Sequence, residues 1–402
     1  MREISINLSG SKSITNRVLI LNSLFNNSLQ LQNLSKSQDS QMMKEALSSK
    51  EHCIDIHHAG TAMRFLTAFF SIQENRETIL TGSHRMKERP IKILVDALNQ
   101  LGANISYVEN EGYPPLEIKG KGIKSNIINL PSNISSQYIT ALCLIGTKLE
   151  KGLVLELEGK ITSKPYITMT LQILNKIGIK TLFNQNKITI YPVSEIKNQP
   201  FIIESDWSSA SYHYSICALS ENLTIKLKYL FEDSLQADRR AVDIYQKFFG
   251  ITTTFNTNEI TLCKQPNFEY PNFIELDMND CPDIAQTVAL TAFGLRIPIK
   301  ITGLETLKIK ETDRLVALKN EIEKCGGKVE ITDNSFTLLK VNSFNANQKI
   351  ETYNDHRMAM SFAPLKLLFP LEIKNPDVVV KSYVEFWNDM QFYGIKNHTY
   401  PK

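Results

Sequence analysis

The feature that most constrains the fold is a pattern that occurs four times: a helix end, a glycine, a strand, a polar turn and another strand. It covers residues 98–120, 174–192, 245–264 and 322–341. The helix-ending glycines are Gly102, Gly178, Gly250 and Gly327, spaced 76, 72 and 77 residues apart. Glycine terminates helices because it accepts a left-handed backbone conformation. The pattern therefore predicts a duplicated folding unit of helices and strands.

The apolar periodicity between these glycines predicts two helices per unit. Helix starts are expected near residues 13, 39, 60, 90, 135, 165, 207, 238, 283, 313, 354 and 382. Twelve helices at two per unit give six α plus β units, which divide naturally into two domains of three. Strands that alternate with helices imply mixed sheets packed against helices.

Composition limits the partners and the compartment. A net charge of +3 on 402 residues gives no reason to expect nucleic acid or an anionic membrane as a partner. None of the six cysteines forms a C-x-x-C pair, which favours a reducing, cytoplasmic setting. The first residues resemble a strand more than a signal peptide, and no apolar run approaches the ~18 residues of a membrane span.

One stretch carries side chains with metal-binding chemistry: His52, Cys53, Asp55, His57 and His58. Ile54 and Ile56 alternate with these polar residues as they would in a strand. Alternation sends neighbouring side chains to opposite faces, which scatters the potential ligands. We therefore predict no metal site.

Many distinctive polar stretches fall at predicted helix starts. The first, GSKSITNR at residues 10–17, lacks the spacing of a Walker A loop because Ser11 separates Gly10 from Lys12. Helix N-termini bind anions through free N–H groups and the helix dipole. Simple capping explains Ser163, Ser205 and Asp238.

Capping does not explain a set of cations at helix starts, because each opposes the dipole by about 0.3–1 kcal/mol. The set comprises Lys12, Arg17, Arg64, Arg89, Arg314 and Arg357. Their repeated occurrence predicts a multiply anionic ligand that they share.

Two stretches add carboxylates. In KETDR, Glu311 and Lys310 lie three and four residues before Arg314, which places both signs of charge on one helical face. Asp283 follows Pro282 at a helix start. Bound anions repel a nearby carboxylate, so a carboxylate at this place indicates a function such as accepting a proton. Surface ion pairing and N-capping are the alternative explanations.

With these motifs in order, the chain resembles the 5-enolpyruvylshikimate-3-phosphate synthases, a family of shikimate-pathway enolpyruvyl transferases. The resemblance runs from the first strand to Lys381 and rests on GSKSITNR, AGTAMR, RMKERPI, SSQ, SKPY, SSASY, KETDRL and YNDHRMAM. It implies an α/β fold, a two-domain inside-out α/β barrel with three βαβαββ units per domain. The domains would be residues 11–205, on the shikimate 3-phosphate side, and residues 1–10 plus 206–402, with the active site in the cleft between them.

The resemblance also implies the reaction. The enolpyruvyl group of phosphoenolpyruvate passes to the 5-hydroxyl of shikimate 3-phosphate, and inorganic phosphate is released. The family expectation is a cytoplasmic monomer that needs no metal or organic cofactor and has these two small molecules as its only partners.

Motif matching implies the site residues. The expected shikimate 3-phosphate contacts are Lys12, Ser13, Arg17, Ser135, Ser136, Gln137, Ser163, Tyr166, Asp283, Thr306 and Lys310. The expected phosphoenolpyruvate contacts are Lys12, Gly60, Arg89, Gln137, Glu311, Arg314, Arg357 and Lys381. Asp283 is expected to take the hydroxyl proton, while Glu311 and Lys12 are candidates for the other proton transfers.

The sequence departs from the family at four places. His58 replaces the usual Asn, Phe65 the usual Pro, and Thr306 a frequent Asn. After Lys381 the chain continues Ser-Tyr-Val where Thr-Phe-Pro is usual. The change at Phe65 leaves sensitivity to glyphosate, which binds at the family's phosphoenolpyruvate site, open.

Two other functions compete with this one. The sister transferase that acts on UDP-N-acetylglucosamine uses a loop cysteine near the HRMKERP position, whereas Cys53 and Cys143 are distant from it. The presence of Lys12, Asp283, Glu311 and Arg357 argues against a catalytically inactive phosphometabolite-binding protein.

Overall fold

A computed structural model describes residues 2–132, 134–159, 161 and 164–396. The chain divides into two compact units. The continuous unit is Ser11–Ile203, and the discontinuous unit combines Met1–Gly10 with Glu204–Lys402. Each unit contains both helices and sheets.

The α-helices in the described residues are α1 (Lys12–Leu24), α2 (Gln38–Ser48), α3 (Gly60–Ser71), α4 (His84–Lys87), α5 (Lys92–Leu101), α6 (Ser136–Gly146), α7 (Lys164–Lys176), α8 (Trp207–Leu219), α9 (Ala241–Phe249), α10 (Ala285–Leu295), α11 (Arg314–Lys324), α12 (His356–Phe362) and α13 (Phe386–Gln391). Short 3₁₀ helices cover Ala237–Arg240, Pro282–Ile284, Glu305–Ile309, Ala363–Leu367 and Pro376–Lys381.

The strands in the same residues are β1 (Arg2–Ile6), β2 (Leu29–Gln32), β3 (Cys53–Asp55), β4 (Glu77–Thr81), β5 (Ile105–Tyr107), β6 (Leu116–Lys119), β7 (Ile127–Pro131), β8 (Leu153–Glu158), β9 (Thr181–Asn184), β10 (Lys187–Ile190), β11 (Gln199–Ile202), β12 (Leu223–Lys228), β13 (Ile251–Phe255), β14 (Glu259–Lys264), β15 (Ile274–Asp277), β16 (Ile299–Thr302), β17 (Gly327–Ile331), β18 (Phe336–Val341), β19 (Gln348–Ile350) and β20 (Leu371–Ile373).

Four sheets share one strand order. In β3-β4-β6-β5 the first pair is parallel and the next two pairs are antiparallel. The same arrangement recurs in β7-β8-β10-β9, β1-β12-β14-β13 and β15-β16-β18-β17. Two further parallel pairs, β11-β2 and β19-β20, form two-stranded sheets within the described part of the chain. The described residues therefore form six related α/β units, and four of these units have the full βαβαββ pattern.

Glycines end the helices of the repeat as predicted in three of the four complete patterns. Gly102, Gly178 and Gly250 have φ angles of 112°, 92° and 67°. In the fourth, the left-handed residue is Gly326, with φ of 99°, and Gly327 begins β17 instead. The sequence prediction was wrong by one residue there because two glycines are adjacent.

The inner helices leave mainly their first turns accessible. Helices α3 and α8 are buried except for Thr61 and Ser208, and α6 is buried from Tyr138 onwards. Helices that are apolar on all sides belong in a core. The polar residues of the sequence motifs therefore occupy the first turns, where helix N–H groups are unpaired.

Candidate active site

An arginine pair lies at the N-terminus of α3 in the continuous unit. The guanidinium of Arg89 covers Gly60 so closely that a Cβ atom there would lie 2.5 Å from Arg89 Nη1. Buried Arg64 donates to the Gly60 carbonyl over 3.0 Å and to the Pro90 carbonyl over 3.4 Å. Neither arginine pairs with a carboxylate among the described residues, and burial, together with the charge of Arg89, lowers the pKa of Arg64 to about 10. Two guanidinium groups beside the free N–H groups of a helix start have the chemistry to bind an anion.

Arg17 of α1 is a second buried cation in the continuous unit. Its Nε donates to Thr170 Oγ1 over 2.9 Å, and its Nη1 donates to the Ser13 carbonyl over 2.7 Å. The Tyr166 carbonyl accepts from Nη2 at 3.3 Å. All these acceptors are neutral, and burial lowers the pKa of Arg17 to about 10. A positive charge held by neutral dipoles in the described structure favours an anion nearby.

Other predicted residues of this unit lie at neighbouring helix starts. Lys12 opens α1 and pairs with Asp39 at 3.4 Å. Ser135 caps α6 by accepting from the Gln137 amide, and the Gln137 side chain donates to Thr61 Oγ1 over 3.3 Å. Ser136 is the first residue of α6. Ser163 lies outside the described residues.

Arg314 is the centre of an ionic cluster in the discontinuous unit. Its Nε donates to Asp355 Oδ2 over 2.6 Å, and its Nη2 to Glu311 Oε2 over 2.8 Å. Its Nη1 lies 3.3 Å from Asp283 Oδ1. Burial lowers the pKa of Arg314, but the carboxylates, Asp355 first, outweigh burial and raise it. Arg314 therefore stays charged and fixes three carboxylates in place.

Asp283 is surrounded by cations. Besides Arg314, Lys310 Nζ lies 3.5 Å from Oδ1, and Arg357 Nη2 lies 3.2 Å from Oδ2. Its position before α10 places it at a helix start. Burial alone lowers the pKa of Arg357, but the carboxylate of Asp283 leads a net rise.

The remaining predicted residues of this unit surround the same cluster. Lys381 Nζ pairs with Glu311 Oε1 at 3.0 Å. Thr306 lies in a 3₁₀ helix, and its buried Oγ1 has no hydrogen-bond partner among the described residues. The cluster unites Asp283, Lys310, Glu311, Arg314, Arg357 and Lys381.

Sequence reasoning missed two buried carboxylates of this cluster. Asp355 caps α12 by accepting from the Arg357 amide at 2.8 Å while it also binds Arg314. Asp238, which simple capping seemed to explain, accepts from Ser208, and Ser208 also accepts from Arg357 at 3.3 Å. Burial, followed by the charge of Asp283, raises the pKa of Asp238 to about 7. The aspartate of YNDHRMAM and the serines of SSASY were the available signals.

Comparison with known proteins identifies the family. The family model for EPSP synthase (3-phosphoshikimate 1-carboxyvinyltransferase) matches residues 41–390. The chain belongs to the EPSP synthase family. A 3-phosphoshikimate 1-carboxyvinyltransferase of Bacteroides fragilis (strain YCH46) is 44% identical, and the alignment covers 98% of this chain and 96% of the relative. Its namesake in Haemophilus influenzae (strain PittGG) is 36% identical over 98% of this chain and 97% of its own.

The fold agrees with this family. An EPSP synthase from Acinetobacter baumannii superposes with a TM-score of 0.78 over 98% of this chain and 96% of its own, at 18% sequence identity. The expected α/β class and enolpyruvyl transferase fold are thus confirmed. None of the helices among the described residues is long and apolar enough to span a membrane.

Proposed function

We propose that this chain transfers the enolpyruvyl group of phosphoenolpyruvate to the 5-hydroxyl of shikimate 3-phosphate and releases inorganic phosphate. The observation that carries the proposal is the 44% identity, over nearly the full chain, to a curated 3-phosphoshikimate 1-carboxyvinyltransferase. The arrangement of charges supports it, because both substrates carry a phosphate and a carboxylate. Such groups match the planar fork of arginine.

We assign the substrates to the cations as the family motifs imply. Arg17 and its neighbours Ser13 and Tyr166 hold shikimate 3-phosphate, together with Ser135, Ser136, Gln137 and Ser163. Arg89 and the Gly60 N–H hold phosphoenolpyruvate, since the Arg89 guanidinium covers the first residue of α3. Arg314, Arg357, Lys381 and Glu311 complete that substrate's contacts, while Thr306 and Lys310 complete those of the acceptor. Lys12 and Gln137 contact both substrates.

The chemistry follows an addition and an elimination. Asp283 takes the proton of the 5-hydroxyl as the hydroxyl oxygen bonds to C2 of phosphoenolpyruvate and C3 gains a proton. The resulting tetrahedral ketal then loses a proton from C3, and the bond from C2 to the phosphate oxygen breaks. Glu311 and Lys12 are the candidates for the transfers at C3 and at the phosphate. The three cations around Asp283 keep that carboxylate oriented between the two steps.

The proposal includes no metal or organic cofactor, as the family resemblance implies. We further propose that the protein is a cytoplasmic monomer. Light scattering that gives the mass of one chain would support the monomer, and the mass of two chains would contradict it.

Phosphate release measured with each acceptor tests the proposal. Phosphoenolpyruvate with shikimate 3-phosphate should release phosphate, whereas phosphoenolpyruvate with UDP-N-acetylglucosamine, or alone, should not. Release with the nucleotide sugar would favour the sister transferase. Binding of shikimate 3-phosphate without release would favour an inactive phosphometabolite-binding protein.

A further inference from the structure

A buried hydrogen-bond network in the discontinuous unit includes a residue that follows Lys381. His213 of α8 is fully buried between two tyrosines. Its Nδ1 lies 2.8 Å from the Tyr393 hydroxyl, and its Nε2 lies 3.0 Å from the Tyr383 hydroxyl. The Tyr383 hydroxyl also donates to Asp389 Oδ2 of α13 over 2.5 Å.

The carboxylate of Asp389, at one end of this network, determines where the protons lie. Because Tyr383 donates its only proton to Asp389, its oxygen must accept from His213, so Nε2 carries the imidazole proton. Nδ1 then accepts from the Tyr393 hydroxyl. This tautomer is neutral, which agrees with burial lowering the pKa of His213 to about 3. Each group in the run from Tyr393 through His213 and Tyr383 to Asp389 thus has a matched partner.

This hydrogen-bond network connects three structural elements. His213 belongs to α8, Tyr383 follows the 3₁₀ helix that ends at Lys381, and Asp389 belongs to α13. The backbone amides of Ser382 and Tyr383 both donate to the Val379 carbonyl, so Tyr383 is continuous with the turn that carries Lys381. The turn is thus anchored on one side by the Tyr383 hydroxyl. On the other side, Lys381 pairs with Glu311.

We propose that Tyr383 and His213 are positioning residues for Lys381, which rests on the proposed role of Lys381 in holding phosphoenolpyruvate. Tyr383 belongs to the Ser-Tyr-Val departure, and a phenylalanine there could make neither of its hydrogen bonds. Without the anchor, the substrate must order the turn when it binds, and affinity falls by the cost of that ordering. The effect is specific to phosphoenolpyruvate because Lys381 is assigned to that substrate alone.

Tyr383→Phe removes a single oxygen and tests the proposal. The KM for phosphoenolpyruvate should rise by about 3- to 10-fold, because substrate binding must then supply part of the free energy of the two buried hydrogen bonds that are lost. The KM for shikimate 3-phosphate and kcat should stay within about twofold. Tyr245→Phe is the control, because Tyr245 is also buried in the same unit and its hydroxyl lies 2.8 Å from Thr291 Oγ1, away from the turn of Lys381. It should lower Tm without changing either KM.

A double-mutant cycle separates positioning from a general loss of stability. In a Lys381→Met background, Tyr383→Phe should no longer change the KM for phosphoenolpyruvate. His213→Gln retains a hydrogen-bond donor toward Tyr383. Its KM for phosphoenolpyruvate should therefore be closer to that of the parent than the KM of His213→Phe.

The outcomes are distinct. An unchanged KM for phosphoenolpyruvate in Tyr383→Phe, or an equal change in the Lys381→Met background, would overturn the inference while the parent enzyme still released phosphate. Absence of phosphate release by the parent protein itself would instead overturn the proposed function.

Discussion

At the scale of single residues, what distinguishes the two sets of cations is the charge of their partners. Arg17 is buried among neutral acceptors, whereas Arg314 binds three carboxylates. A buried charge without a counter-ion is costly, so a ligand anion near Arg17 gains more than one near Arg314. Arg314, in turn, is suited to orienting the carboxylates that perform proton transfer.

Asp283 should be indispensable for turnover. Asp283→Ala and Asp283→Asn should each lower kcat by at least about 100-fold, since general base catalysis contributes roughly 10²–10⁴. The Asn variant keeps the size of the side chain and its acceptor oxygen but takes up no proton. Steady-state phosphate release measures the effect. Glu275→Gln, which loses a surface pair with Lys300, is the control and should leave kcat within about twofold. Near-normal turnover of Asp283→Asn would refute the role of a base.

Arg17 should act mainly on one substrate. Arg17→Ala should raise the KM for shikimate 3-phosphate by at least about tenfold, because a hydrogen bond to a charged group contributes about 1.5–3 kcal/mol. Arg76 of the same unit is the control, since it also donates to a neutral carbonyl, that of Ser49 at 2.8 Å. Arg76→Ala should lower Tm without changing that KM. An equal rise in both variants would show that Arg17 acts only through stability.

The raised pKa of Asp238 predicts a pH-dependent stability. The ordinary Asp pKa is about 3.9, and burial raises the folded-state value to about 7. Between these pH values the native state holds a proton that the unfolded state has lost, so stability falls as pH rises. Relative to the parent, Asp238→Asn should therefore gain Tm between pH 4.5 and pH 8. The exposed Asp233, changed to Asn, should show no such trend. A gain at low pH instead would contradict the assignment.

At the scale of elements, the fold was largely predictable because its signals are local. Helix periodicity and terminating glycines placed the helices of the repeat within a few residues of where they lie. In the two-stranded sheet of β11 and β2, the paired strands lie far apart in sequence, so no local pattern predicts their pairing. Likewise, the Thr140 and Thr170 hydroxyls that hold Arg17 are 123 and 153 residues away from it. Site residues at helix starts could be nominated from the sequence, but their buried partners could not.

The start of α3 offers a test at this scale. In Gly60→Ala the new Cβ would lie 2.5 Å from Arg89 Nη1, so the guanidinium must move off the helix end. The KM for phosphoenolpyruvate should rise by about tenfold or more, since the displaced contact is charge-assisted. The KM for shikimate 3-phosphate should stay within about twofold.

Arg89→Ala provides the comparison for this variant. If Gly60→Ala acts by displacing Arg89, the double variant should be no worse than Arg89→Ala alone. Independent, additive effects on the KM for phosphoenolpyruvate would show that the clash is not the cause.

At the scale of the whole molecule, anion binding arises from local excess charge. The net charge of +3 on the chain is too small to concentrate multiply anionic substrates by itself. The discontinuous unit places four cations, Lys310, Arg314, Arg357 and Lys381, around the carboxylates of Asp283, Glu311 and Asp355. Burial raises the pKa of the fourth carboxyl group of this cluster, Asp238, to about 7. The continuous unit adds Arg17, Arg64 and Arg89 without carboxylate partners in its described residues. We propose that both groups serve one reaction.

The most direct test follows the fate of both substrates by NMR. The enzyme should convert phosphoenolpyruvate and shikimate 3-phosphate into equal amounts of inorganic phosphate and a second product. That product should show new vinyl proton signals from an enolpyruvyl group attached to the 5-oxygen. Asp283→Asn should yield neither within the same time. Phosphate that appears while shikimate 3-phosphate stays unchanged would reveal simple hydrolysis. That result, or a vinyl product formed only from UDP-N-acetylglucosamine, would contradict enolpyruvyl transfer to shikimate 3-phosphate.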